Sequence, residues 1–201
     1  MKKSSILILI IICLVGCKKG ANETTITGEI KGLGTDTLYL YGMDELYDRI
    51  DTIYVENDKF SYTTSVDTIT SAYLLLKNRI EYPVFLDKGN KIKIKGDTIN
   101  LNFLTISGNI YNEEFTDFQK ALEDPADPSE KAGEETVDKR ITVEKANTAE
   151  EMAEEFILQH HSSYVSLYLL DKYFVQKETP DFSKIKKLVE VMTGVLQDKP
   201  Y

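Results

Sequence analysis

The chain reads as an α+β protein: an antiparallel β-sandwich-like N-terminal domain over residues 24–108, then a helical region over residues 109–201. Three observations predict this class. From Thr24 onward, short runs of β-branched and aromatic residues are separated by turn residues. Lys91-Ile92-Lys93-Ile94-Lys95 alternates with a period of two, the mark of a strand with one buried face. Past Gly108 the period lengthens, and Ile110, Glu114, Phe115, Phe118 and Leu122 fall near helical spacing.

Taken in order, the chain begins with Lys2 and Lys3 ahead of an uninterrupted apolar run, Ile6 to Leu14. That run falls well short of the roughly 20 residues a membrane-spanning helix needs, so it reads as an export signal. Leu14-Val15-Gly16-Cys17 closes the run and resembles the lipobox of bacterial lipoproteins. The resemblance implies removal of residues 1–16, a diacylglycerol thioether on Cys17 and acylation of the new amino terminus. An ordinary signal peptide or a hydrophobic N-terminal anchor is the simpler reading, and the cysteine directly after Gly16 favours the lipobox. Residues 17–23 are polar, carry Gly20 and read as a tether. Lys18 stands where a sorting aspartate would favour the inner membrane, and Lys18 and Lys19 replace the acidic cluster of surface-exported relatives. By analogy, the expected address is the periplasmic face of the outer membrane, rather than the inner membrane or the cell surface.

The strand candidates are Thr25–Ile30, Leu38–Tyr41, Arg49–Val55, Phe60–Thr64, Ala72–Lys77, Tyr82–Leu86, Lys91–Lys95 and Leu101–Ser107. Lys31 to Asp36 supplies a glycine-rich connection, and Glu56-Asn57-Asp58-Lys59 a turn whose Asn and Asp tolerate left-handed backbone. The lysines of 91–95 belong in water, where like charges oppose edge-to-edge pairing. Strands this short at this spacing suggest a sandwich or a strongly curled sheet.

Tyr111–Leu122 is expected as the first helix. Residues 123–148 are acidic, with Pro125, Pro128 and Gly133, and read as a mobile or weakly helical excursion. Met152–His160 follows, closed by His160 and His161 at the negative end of the helix dipole. Ser162 or Ser163 then caps Tyr164–Val175, and Asp181 caps Phe182–Gln197. In this last helix Phe182, Ile185, Leu188, Val189 and Met192, continued by Val195 and Leu196, make a wide apolar stripe. It is a candidate partner surface if its face is not used internally.

Composition removes several function classes. The formal charge is −9, and loss of Lys2 and Lys3 with the signal makes it two units more negative. Nucleic acid is thereby disfavoured, because its affinity rests on Lys and Arg meeting phosphates. An anionic membrane gains little from such a balance either, so attachment to the bilayer is expected through acylated Cys17 alone. Cys13 leaves with the signal and Cys17 carries the lipid, so no disulfide, redox pair or thiolate metal site follows.

No catalytic constellation stands out. Adjacent His160 and His161 point about 100° apart on a helix and do not make an i, i+4 ligand pair. Asp124, Asp127 and Glu130 lack the spacing of a calcium loop. Gly28, Gly32 and Gly34 precede a strand rather than a helix, so neither a dinucleotide nor a Walker-type phosphate cradle fits. Ser162 and Ser163 have no nucleophile-elbow glycines. Neither a metal nor a cofactor is expected. Tyr39, Tyr41, Tyr54, Tyr62 and Tyr73 lie on strands, where tyrosine is at home, and together offer a stacking surface for a sugar or peptide.

The order of features resembles a known family. It rests on Ile26-Thr-Gly-Glu-Ile-Lys-Gly32, Thr37-Leu-Tyr-Leu40, Pro83-Val-Phe-Leu-Asp-Lys-Gly89, Ile106-Ser-Gly-Asn109 and the segment Phe156–Ser166. These resemble the N-terminal domain of unknown function found in Bacteroidota lipoproteins ahead of a thioredoxin-like, thiol–disulfide oxidoreductase domain. The resemblance implies a lipid-anchored accessory or binding module, not an enzyme, with a thioredoxin-like protein as partner. Lys199-Pro200-Tyr201 falls about where the family's linker to the thioredoxin fold begins, and no Cys-x-x-Cys is present. The alternatives are a truncated or split oxidoreductase lacking its catalytic domain, and a carbohydrate- or peptide-binding lipoprotein.

Overall fold

The computed structural model describes residues 20, 22–43, 45–123, 148–192 and 196. The signal, Leu14, Val15, Gly16 and Cys17, most of the tether, and the acidic stretch 124–147 lie outside the described residues. Among those described, β1 (Glu23–Lys31), β2 (Asp36–Gly42), β3 (Ile50–Glu56), β4 (Lys59–Ser65), β5 (Thr70–Leu75), β6 (Glu81–Leu86), β7 (Lys91–Asp97) and β8 (Thr105–Ser107) form one sheet. The spatial order is β6-β5-β2-β3-β4-β1-β7-β8. Period-two alternation sends Ile26, Ile30, Leu38, Leu40, Ile53, Val55, Ile92 and Ile94 into the core, all at most 1% exposed.

The sheet behaves as two four-stranded halves joined at a hairpin. β3 and β4 pair only at Val55 with Phe60 and Glu56 with Lys59. Asn57 and Asp58 supply the two positive φ angles, 51° and 68°, of this tight turn. Beyond it the two strands are no longer paired, and the sheet opens along that seam. Inside, Gly28 sits opposite the Phe60 ring, which would lie 2.0 Å from any added Cβ. The glycine leaves room for a core aromatic and is not part of a phosphate cradle.

The opposite seam, between β6 and β8, is closed by a helix rather than by strand pairing. This helix, α1 (Ile110–Glu123), carries buried Asn112 and Thr116 one turn apart. Asn112 Oδ1 accepts from the Phe85 N–H at 3.0 Å, and its Nδ2 donates to the Phe85 carbonyl at 2.8 Å. Thr116 Oγ1 accepts from the Ile106 N–H at 2.9 Å and donates to the Ile106 carbonyl at 3.0 Å. The Tyr82 hydroxyl spans the same gap, donating to the Leu104 carbonyl at 2.7 Å and accepting its N–H at 3.0 Å. Buried edge strands whose N–H and C=O groups had no partner would be costly, and these side chains act as the missing strand.

Further helices are α2 (Ala149–Gln159), α3 (Tyr164–Leu170), continued by a π-helical turn over Asp171–Val175, and α4 (Phe182–Val191). Helices and sheet share one buried core running from Ile26 to Leu196. At its centre Phe115 lies 6.3 Å from Phe85 and 5.2 Å from Tyr168, both edge-on. Ser163 caps α3 by accepting from the Val165 N–H, and Asp181 caps α4 by accepting from Ser183 and Lys184, as the sequence indicates.

Four expectations change. The β1–β7 pair is parallel, so the sheet is only mostly antiparallel. β7 is not an edge, because β8 covers it, so its lysines are not there to block pairing. Of Leu101–Ser107 only Thr105–Ser107 is strand, since Tyr82 takes the Leu104 backbone groups that a longer ladder would use. The last helix is interrupted after Val191, where Met192 turns to extended backbone at ψ 147°, and Leu196 is again helical.

Candidate functional site

The alternation that buries Leu38, Leu40, Ile53 and Leu74 turns their neighbours outward on three adjacent strands. In register, Tyr41 lies between Ile50 on β3 and Tyr73 on β5, and Tyr39 lies between Thr52 and Leu75. Tyr54 stands one pair further along, opposite Thr37. Four of the tyrosines singled out from sequence, Tyr39, Tyr41, Tyr54 and Tyr73, therefore share one outer face. Tyr54 and Ile50 are each 73% exposed and Tyr39 41%. At the β5 side, the Tyr41 and Tyr73 rings are 5.7 Å apart, and the Tyr41 hydroxyl donates to Glu81. Burial, with Asp171 and Glu81 nearby, pushes the Tyr73 phenol upward. Burial and the Glu81 hydrogen bond do the same for Tyr41, so both remain neutral donors at any physiological pH. This face offers flat rings with rigid backbone beneath them, which suits contact with apolar or planar groups.

Tyr62 lies elsewhere. It points inward from β4, into the seam where β3 and β4 part, among Tyr47, Arg49, Asp51 and Thr64. Asp51 accepts from the Tyr47 hydroxyl and from Arg49 Nε at 3.2 Å, and is hydrogen-bonded to Tyr62. The Arg49 guanidinium stacks 4.4 Å from the Tyr47 ring centroid and donates to Thr64 and to the Ser65 carbonyl, the latter at 3.0 Å. Burial works to raise the Asp51 pKa, but the hydrogen bonds from Tyr47, Tyr62 and Arg49 together hold it below the usual carboxylate value. These groups are committed to one another and close the seam. Sequence reasoning missed the cluster. Its one signal was Arg49 and Asp51 at i, i+2, both on the strand side of a chain that is otherwise apolar there.

A carboxylate whose pKa is lowered by folding adds stability above its unfolded value of about 3.9, and that stability is lost as pH falls through the folded value. Asp51→Asn is accordingly expected to cost about 2 kcal/mol at neutral pH. Its unfolding free energy should also fall less steeply than that of the wild type as the solution is acidified below pH 4. Urea titrations across the acid range measure both, and an unchanged acid limb would remove Asp51 from this role.

The structure uses the C-terminal stripe internally. Leu188 and Met192 are buried, Ile185 and Val189 pack half-buried against the core, and only Phe182 of the five is exposed, at 76%. Lys184 on the same helix reaches Glu154 of α2 at 2.7 Å, fixing α4 against α2. The stripe is thus core rather than partner surface, with Phe182 its one outward member. His160 caps α2, its ring stacked 4.1 Å from Phe156 with Nδ1 donating to the Phe156 carbonyl. His161 is exposed. Among the described residues no group of His, Cys, Asp and Glu is placed to hold a metal ion.

Fold and faces together define an α+β protein on a β-sandwich-like scaffold, with a helix as the closing stave. Residues 24–115 match the family described as Domain of unknown function (DUF4369), and that stretch belongs to it. The match runs past the sheet into α1 as far as Phe115, so it takes in the helix that closes the seam. No curated protein matches the chain.

Proposed function

We propose that this protein is a lipid-anchored binding module of the cell envelope, tethered through Cys17 at the periplasmic face of the outer membrane and without catalysis of its own. The anchor reading is supported by Leu14-Val15-Gly16-Cys17 and the apolar run before it. The observation that carries the binding reading is the exposed Ile50, Tyr54 and Tyr39 face on in-register strands. Large exposed apolar and aromatic side chains grouped together mark interaction surfaces more than chance does. The buried polar clusters, by contrast, satisfy their own hydrogen bonds. The family resemblance supplies the partner class, a thioredoxin-like protein.

The lipidated chain, used as bait in detergent-solubilised envelope, is expected to retain a protein bearing Cys-x-x-Cys. Tyr39→Ser/Tyr54→Ser should retain at least about tenfold less, as loss of two contact aromatics implies. Equal retention by both baits refutes the role of this face, and dithiol-dependent disulfide reduction by the chain alone refutes the non-catalytic reading. The same row of rings supports a second reading, a carbohydrate- or peptide-binding lipoprotein. In that case oligosaccharide or peptide, rather than a thioredoxin-like protein, is what the tyrosine variant fails to retain.

A further inference from the structure

The net charge of −9 conceals an uneven distribution. On the other half of the sheet, the outer face of β4, β1, β7 and β8 gathers Lys31, Lys59, Lys91, Lys93 and Lys95, all exposed. The carboxylates on it are Glu23 at the start of β1, Glu29 and Asp97, with Glu56 at the rim opposite Lys59. Pairing sets the lysines in ordered rows. Lys91 lies beside Thr25, Lys93 beside Thr27 and Ser107, and Lys95 beside Glu29 and Thr105. Among the described residues, the ion pair on this face is Lys59 to Glu29, at 4.0 Å.

We propose that this face lies against an anionic phospholipid surface, holding the domain flat on the membrane to which Cys17 tethers it. The inference rests on the anchor reading above and adds an orientation to it. Two observations lead to it. The first is covalent reach: β1 starts at Glu23, six residues after Cys17, and at about 3.5 Å per residue this strand lies within roughly 20 Å of the lipid attachment. The strand that follows the tether is thus the one between the lysines of β4 and β7. The second is shape and charge. Successive outward lysines on β7 are about 6.7 Å apart; Lys91 and Lys93 have threonines and a serine beside them, while Glu29 stands between Lys59 and Lys95. The stems of Lys91 and Lys93 therefore stand beside hydroxyls rather than carboxylates, where headgroup phosphates meet their ammonium tips. The tyrosine face of β2, β3 and β5 is left turned away from this contact and open to a partner.

The test uses the lipidated full chain in vesicles of phosphatidylcholine alone and in vesicles containing phosphatidylglycerol. A membrane-impermeant amine reagent labels exposed lysines, and mass spectrometry reads each site. Labelling of Lys91, Lys93 and Lys95 is expected to slow about tenfold in the anionic vesicles, with each lysine near such a surface worth roughly a fivefold gain in partition. High salt should abolish the protection. Lys186, exposed on α4, should label equally in both and serves as the internal control. In Lys91→Gln/Lys93→Gln/Lys95→Gln, protection of Lys31 and Lys59 should disappear as well.

Equal labelling in the two vesicle types overturns the proposal. So does protection in both, insensitive to salt, which marks contact between copies of the chain instead. The anchor is read separately, by flotation with phosphatidylcholine vesicles, which carry no net charge and hold the chain through its acyl groups. If that flotation fails, the anchor reading fails by itself. Salt-sensitive flotation with anionic vesicles, lost in the triple variant, then still supports the face, and its absence overturns it.

Discussion

Replacing Asn112 with leucine is expected to lower the unfolding free energy by about 3 kcal/mol, although the two side chains branch alike and have the same number of heavy atoms. The loss arises on β6. Asn112 is the partner of the buried Phe85 N–H and shares the Phe85 carbonyl with Asn109, whose Nδ2 donates to it at 2.8 Å. Leucine leaves the N–H without a partner, and an unsatisfied buried donor costs roughly 1–3 kcal/mol. It also removes the hydrogen bond from Asn112 Nδ2 to Asn109 Oδ1, 2.9 Å in length. Thr116→Val, nearly isosteric, should lose a similar amount, because the Ile106 N–H and C=O both depend on one hydroxyl. Against a total stability of 5–15 kcal/mol for an ordinary domain, either change is large. Urea-denaturation midpoints at unchanged slope measure it, and a shift worth less than about 1 kcal/mol would show that the seam is not closed through these groups.

Cys17→Ser is expected to move the protein from the membrane fraction to the soluble fraction almost completely, while leaving thermal unfolding of the folded region unchanged. Each buried methylene contributes about 0.8 kcal/mol to membrane partition, and one acyl chain holds a protein only marginally. On the proposed anchor, three chains on one residue exceed what stable anchoring requires, so removing the thiol should remove the whole attachment in one step. Labelled fatty acid should be incorporated into the wild type and not into the variant. Incorporation into both, or membrane retention of an unlabelled variant, would locate the anchor elsewhere in the chain. The lysine face predicts a residual, salt-sensitive association with anionic vesicles even in the serine variant, far weaker than that of the wild type.

Much of the local structure was legible. Each expected strand lies within an observed one or overlaps it, and the alternation at Lys91–Lys95 put Ile92 and Ile94 at no more than 1% exposure. The caps Ser163 and Asp181 were equally readable, since a capping side chain acts within three residues of itself. Thr148 was missed for a different reason. It completes a capping box with Glu151, but it sits at the end of an acidic stretch whose composition masks the signal. The candidate site was half legible. Alternation placed Tyr39, Tyr41 and Tyr54 on strands, but not on which side of the sandwich each would fall relative to the others. Tyr62 has the same composition and spacing around it, yet it points into the seam with Asp51.

What the sequence by itself determined is whatever depends on neighbours a few residues away: strand and helix positions, caps, and the side of each strand that is apolar. These follow from periodicity and from the chemistry of short segments. Only the tertiary structure decided which strands adjoin. The parallel pairing of β1 with β7, the use of the α4 stripe as core, and the closing of two strand edges by Asn112 and Thr116 all depend on contacts between distant segments. Charge shows the difference most plainly. Composition is a sum and reads −9, whereas strand register is an arrangement, and it gathers the lysines of β1, β4 and β7 on a single face.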